Sequence, residues 1–151
     1  MTYDSRADTY EHIDKVRTYM NRAICNLLQR AAVHDRSKLS GIEKEAFDAV
    51  TPRLAETEYG SDEYRATLRE IKPAIQEHYK WNTHHPEHYR NGVADMTLLD
   101  LIEMLCDWKA ASERVKDGNL KGSMDYNQER FGYSDELASI LDRTLFDLGL
   151  Y

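Results

Sequence analysis

The chain has 151 residues, 41% of them hydrophobic and 31% charged. That balance predicts one packed globular domain over residues 1–151 and excludes a disordered chain. Twenty basic residues against 27 acidic ones leave a formal net charge of −7, which excludes a broad duplex nucleic-acid footprint, because replacing phosphate counterions needs a basic face. No apolar run approaches the ~20 residues that span a bilayer, and Met1 to Arg6 lacks the apolar core of a signal segment. A cytoplasmic protein without a membrane partner is expected.

Only three prolines and seven glycines interrupt the sequence, and strand-like alternation is nearly absent. The predicted fold class is all-α, a bundle of about five to six helices. From about Ala7 to Ala32, Ile13, Val16, Met20, Ala23, Leu27 and Ala31 recur at steps of three and four, the stripe of an amphipathic helix. Ser40 with Glu43 three residues later forms a capping-box pattern. It opens a second helix through Ile42, Ala46, Phe47 and Val50, which Pro52 disturbs.

Gly60-Ser61-Asp62 reads as a break and a new cap. A third helix then carries Tyr64, Leu68, Ile71, Ile75, His78 and Asn82 on one seam. Pro73 falls on its other face as a possible kink, and the seam brings His78 and Asn82 towards the core. His84 to Asp95 reads as a loop with a turn at Asn91-Gly92. Thr97 to about Lys116 is the most hydrophobic helix, expected at the centre of the domain and ended by Asp117-Gly118-Asn119. Lys121 to Ser134, with Gly122 and Gly132, reads as a polar excursion. Leu137, Ile140, Leu141, Leu145 and Leu148 build a closing helix. Cys25 and Cys106 sit among apolar residues and are expected to be buried free thiols rather than a disulfide or zinc site.

Three clusters carry chemistry. His34-Asp35 offers a neutral nitrogen donor and an anionic oxygen donor from consecutive residues, a pairing suited to a divalent transition metal. Four of the six histidines, His78, His84, His85 and His88, lie within eleven residues. His85 precedes Pro86 and is therefore biased to an extended backbone, which makes it the best candidate ligand of the four. Asp100, Glu103 and Asp107 share one stripe of the central helix. Asp107 reads as the carboxylate that needs a cation, whereas Asp100 and Glu103 fit a solvated acidic edge. Arg114 is a candidate partner on the same stripe.

In their order along the chain, His34-Asp35-Arg36-Ser37-Lys38, His84-His85-Pro86-Glu87 and Leu105-Cys106-Asp107-Trp108 resemble the motifs of HD-domain metal-dependent phosphohydrolases. They resemble more closely still a family of small, largely uncharacterised bacterial and phage proteins with HD-like motifs. The resemblance runs from the first helix to about Ser112. It implies an HD-like helical domain in which His34, Asp35, His85 and Asp107 bind a divalent transition metal (Mn, Fe, Co, Ni or Zn). Asp35 would bridge two ions, and His78 and His84 would complete the second site.

The resemblance further implies that Lys38 orients a substrate phosphate beside Asp35. Arg36, Lys80, Arg90 or Arg114 would neutralise phosphoryl oxygens, and Tyr79, Trp81 and Tyr89 would stack on a base. The expected substrate is a nucleotide or another small phosphoester. The sequence departs from the motif at Ser37, where glycine is usual. It departs also at His12, the one upstream histidine, which about 33 Å of unbroken helix would separate from His34. An alternative from another class is a non-catalytic HD-like helical module that binds a protein partner or a nucleotide, its metal structural or absent. A di-iron carboxylate or haem bundle fits less well, since no Glu-x-x-His pair stands in a clear helix.

Overall fold

The computed structural model describes residues 3–57, 61–114 and 118–151. Among these residues the protein is all-α, with seven α-helices and no strand: α1 (Arg6–Val33), α2 (Gly41–Glu56), α3 (Asp62–Glu70), α4 (Lys72–Trp81), α5 (Leu98–Glu113), α6 (Leu120–Phe131) and α7 (Asp135–Asp147). Short 3₁₀ turns occupy Arg36–Leu39, Pro86–His88 and Gly92–Asp95. The chain divides into two compact units, residues 1–34 and 35–151. Among the described residues no helix is long and apolar enough to cross a membrane.

The first unit is α1, 28 residues long. It matches the amphipathic helix expected from Ala7 to Ala32. His12 lies within it, and Cys25 is exposed on it rather than buried.

The second unit runs through α2, α3 and α4 before the helices that build its main core. Gly41 opens α2 with a positive φ of 61°, a backbone that glycine adopts without steric cost. Ser40 stands at the N-cap but makes no side-chain cap bond. The expected capping box is therefore not formed, because Glu43 turns inward instead. Pro52 does not end the helix, which continues to Glu56.

The single third helix of the sequence reading is two helices that meet at Ile71. Ile71 takes φ −103° and ψ 18°, and Pro73 falls in the first turn of α4, where its missing N–H costs nothing. The inward seam survives the break. Ile71 and His78 are both buried, as are Val50 of α2 and Ala74 of α4. Ser61 does cap α3, accepting from Tyr64 N at 3.1 Å. Gly60, Lys116 and Asp117, to which the reading also assigned boundaries, lie outside the described residues.

The main core is built by the last three helices. Leu101, Met104 and Leu105 of α5 pack with Leu120 and Met124 of α6 and with Leu141 and Leu145 of α7; Val93 and Tyr133 close the cluster. The polar stretch from Lys121 to Ser134 is thus largely an ordered helix. Its glycines mark the ends: Gly122 N is capped by Asn119 Oδ1 at 3.0 Å, and Gly132 takes φ 65° at the C-cap. Leu120, Met124 and Asn127, at steps of four and three, form the buried face. Of the apolar residues that the sequence places on the closing helix, Leu141 and Leu145 are buried and Ile140 and Leu148 are exposed.

α5 is started by a complete capping box. Thr97 Oγ1 accepts from Asp100 N, and Asp100 accepts from Thr97 N at 2.8 Å. Asp100 is buried to 1% exposure and also accepts from Tyr89 OH at 3.0 Å. It is consequently not part of a solvated edge. Cys106, on the same helix, is exposed rather than buried.

Candidate metal centre

Asp35 opens the site and sets its geometry. It takes a left-handed backbone, φ 55° and ψ 14°, a region that aspartate tolerates better than most residues. The reversal leads directly into the Arg36–Leu39 turn, which packs against α2 and α4. The two carboxylate oxygens of Asp35 then serve different neighbours. Oδ2 accepts from Lys38 Nζ at 2.6 Å, while Oδ1 faces two imidazoles, with His78 Nε2 at 3.2 Å and His84 Nε2 at 3.6 Å.

The histidines come from two elements. His78 lies in α4 and is buried by the inward seam. His84 and His85 follow the helix, and His85 holds the extended backbone (φ −98°, ψ 127°) imposed by Pro86. His78 Nε2 and His85 Nε2 are 2.9 Å apart, and the His84 and His85 ring centroids are separated by 4.1 Å. One donor atom from each of Asp35, His78, His84 and His85 lies within 4.8 Å of all the others.

Carboxylates stand behind two of these rings. Glu43, 4% exposed, lies 2.8 Å from His78 Nδ1 and accepts from Ser37 Oγ at 2.8 Å. Glu103 Oε1 lies 3.3 Å from His84 Nδ1. Sequence reasoning assigned Glu43 to a helix cap and Glu103 to a solvated edge; both instead face imidazoles. The capping-box spacing of Glu43 hid it, whereas Glu103 was legible as a carboxylate on the stripe of Asp107.

Electrostatics follow from this packing. Burial alone pushes the Asp35 carboxyl up, but the His78 ring and the Lys38 ammonium outweigh it and hold the group well below the usual carboxylate range. Burial, reinforced by the neighbouring His84 and His78, lowers the His85 imidazole to about 3, with the Asp107 charge opposing the fall. A neutral imidazole is the form that donates to a metal.

The donor set fits a divalent ion. Ligands about 2.1 Å from a transition metal stand roughly 3.0 to 3.4 Å apart in octahedral or tetrahedral arrangements. The separations of 2.9, 3.2 and 3.6 Å among Asp35, His78, His84 and His85 bracket that range. Nitrogen-rich donors with one carboxylate favour Zn, Fe, Co, Ni or Mn over calcium or magnesium.

The remaining sequence candidates are distributed as follows. His34 closes α1 in the first unit, its N–H donating to Arg30 O at 2.8 Å. Asp107 is half-buried on α5, close enough to act on His85. Lys38 is held against Asp35, with its ammonium 5.1 Å from the Phe47 ring centroid. Arg36, Arg90 and Arg114 are exposed, in the turn after Asp35, after the Pro86–His88 turn and at the end of α5.

Lys80 pairs with Glu77 at 2.7 Å. Tyr79 packs its ring 4.9 Å from that of His85. Trp81 is exposed, and its indole donates to Glu77 at 2.8 Å. Tyr89 serves Asp100, as described above. His88 is half-buried, Nδ1 donating to Tyr79 O at 2.8 Å.

The model of one protein family, described as a family of unknown function (DUF5662), matches residues 1–147. No curated protein and no solved structure matches the chain.

Proposed function

Because the chain belongs to this family of unknown function, we propose its activity from the site: a metal-dependent phosphohydrolase acting on a nucleotide or another small phosphoester. The observation that carries the proposal is the convergence of Asp35 with His78, His84 and His85. A divalent ion held by these residues would acidify a water and neutralise phosphoryl charge. In the two-ion form of the proposal, Asp107 joins Asp35 in holding a second ion.

The chain's own residues have defined tasks in this reading. Asp35 presents Oδ1 to the imidazoles while Lys38 holds Oδ2, which fixes the carboxylate's rotation. Lys38, with a half-exposed side chain, also supplies the positive charge that a substrate phosphate needs beside the site. Arg36, Lys80, Arg90 and Arg114 are the further cations assigned to phosphoryl oxygens, and Tyr79, whose ring lies 4.9 Å from that of His85, is among the aromatic groups assigned to a base.

A second reading rests on the same count of donors. Three imidazoles and one carboxylate suffice to close a tetrahedral structural site, as a non-catalytic helical module that binds a protein or nucleotide would use. Metal analysis of purified protein, followed by hydrolysis assays over nucleotides and phosphomonoesters, separates the two. The catalytic reading expects bound metal and turnover, both lost in Asp35→Ala with helical content retained. Bound metal with no turnover and a closed coordination shell by X-ray absorption supports the structural module. Protein that takes up no transition metal overturns the catalytic reading and the structural-metal form of the module.

A further inference from the structure

We propose that Glu43 and Glu103 are a pair of positioning residues, one behind each of His78 and His84, that hold a proton on Nδ1 and so turn Nε2 toward Asp35. The role in metal binding rests on the reading above; the assignment of the protons does not.

The geometry is the same at both histidines although the carboxylates come from different helices. Glu43 on α2 meets His78 Nδ1 at 2.8 Å, and Glu103 on α5 approaches His84 Nδ1 at 3.3 Å. The opposite ring nitrogens, both Nε2, face Asp35 Oδ1. A carboxylate oxygen only accepts, so a short contact to a ring nitrogen places hydrogen on that nitrogen. Two anions cannot face opposite sides of a ring in a buried site without a proton or a cation on each side.

Both carboxylates are protected from solvent, with side chains 5% and 13% exposed, which makes their charges effective at short range. Ser37 adds a second donor to Glu43 at 2.8 Å and so fixes which oxygen meets His78. Asn82 Nδ2 also lies 3.0 Å from His78 Nδ1, but it is within reach of His78 O at 2.8 Å and Ser37 Oγ at 3.2 Å. Those acceptors take its hydrogens, and the anionic oxygen decides the proton on Nδ1. Carboxylates in this position orient metal-binding imidazoles and raise their basicity.

The test has two arms. Nitrogen-15 NMR of the wild-type imidazoles, with and without Zn(II), reads the proton position directly. A proton on Nδ1 of both His78 and His84 is expected in either state; Nδ1 without a proton in the metal-free protein overturns the proposal. Zn(II) and Co(II) titrations of Glu43→Gln and Glu103→Gln form the second arm, with each variant expected to bind about 10- to 100-fold more weakly. Wild-type affinity in both variants overturns the role in metal binding. If the wild type itself binds no metal, the metal-dependent function fails while the NMR arm still decides the proton assignment. Glu43→Ala and Glu103→Ala are expected to lose more than the Gln variants, which keep an acceptor.

Discussion

His78 Nε2 and His85 Nε2 face one another across 2.9 Å, although they belong to residues seven apart on either side of a helix end. Two neutral imidazole nitrogens at that distance either share one proton or share a cation. The second arrangement ties α4 to the loop that follows it. Transition-metal addition is therefore expected to stabilise the fold, by about 2.7 kcal/mol at a free concentration 100 times Kd. Thermal unfolding with Zn, Mn and Co checks this, and the gain should fall sharply in His85→Ala. A Tm unmoved by any of the metals would contradict it.

Acid should destabilise the metal-free protein in two stages. The folded His85 stays neutral down to about 3, while in the unfolded chain it protonates near its ordinary value of about 6.5. The unfolded state thus binds more protons, and stability falls as pH drops from about 6.5 towards 3. Asp35 adds a second loss. Its folded pKa is depressed, so the stability it contributes above about 3.9 disappears as pH falls below that value. Urea unfolding between pH 7.5 and 4.5 checks the first stage. His85→Gln should flatten the slope by an amount on the order of a few kcal/mol over the window.

The acidic residues of α5 should separate by role. Asp100 accepts from Thr97 N, Thr97 Oγ1 and Tyr89 OH at 2.8, 2.6 and 3.0 Å. Asp100→Ala is expected to cost about 2–3 kcal/mol in urea unfolding, because it strips a cap and leaves buried donors unmatched. Residual folded protein should retain its metal affinity. Glu103→Gln should show the reverse pattern, with little change in stability and weaker metal binding.

α6 should unfold with the core rather than before it. Met124 is 3% exposed between α5 and α7, so Met124→Ala is expected to cost about 2–5 kcal/mol. Amide exchange in α6 should be as slow as in α5. Rapid exchange of α6 alone would show that this helix opens independently.

Much of the fold was legible where a periodic pattern and its boundary agreed. α1, α5 and α7 each have an apolar repeat that names its span. The split at Ile71 was half legible: Pro73 marked the place, but the seam's uninterrupted phase across it argued for one helix. α6 was missed because only one face, Leu120, Met124 and Asn127, is buried, and its bounding glycines read as loop residues. At the site, Asp35, His78, His84 and His85 were all nameable from residue type and position. Glu43 was not, because the same spacing that makes a capping box also places a carboxylate under Ser37. Which role wins depends on His78, 35 residues away, and no local pattern contains that information.

The junction at Ile71 also sets where the chain can tolerate a change in length. Adding or removing one residue turns the following part of a helix by about 100°. Within α4 such a change, between Pro73 and His78, would swing the imidazole away from Glu43 and Asp35. The same change before Ile71 meets a break that already interrupts the hydrogen-bonded ladder, so α3 can re-register while α4 keeps its phase. Insertions and deletions in this half of the protein are thus partitioned at a single residue, with His78 insulated from those upstream and exposed to every one downstream.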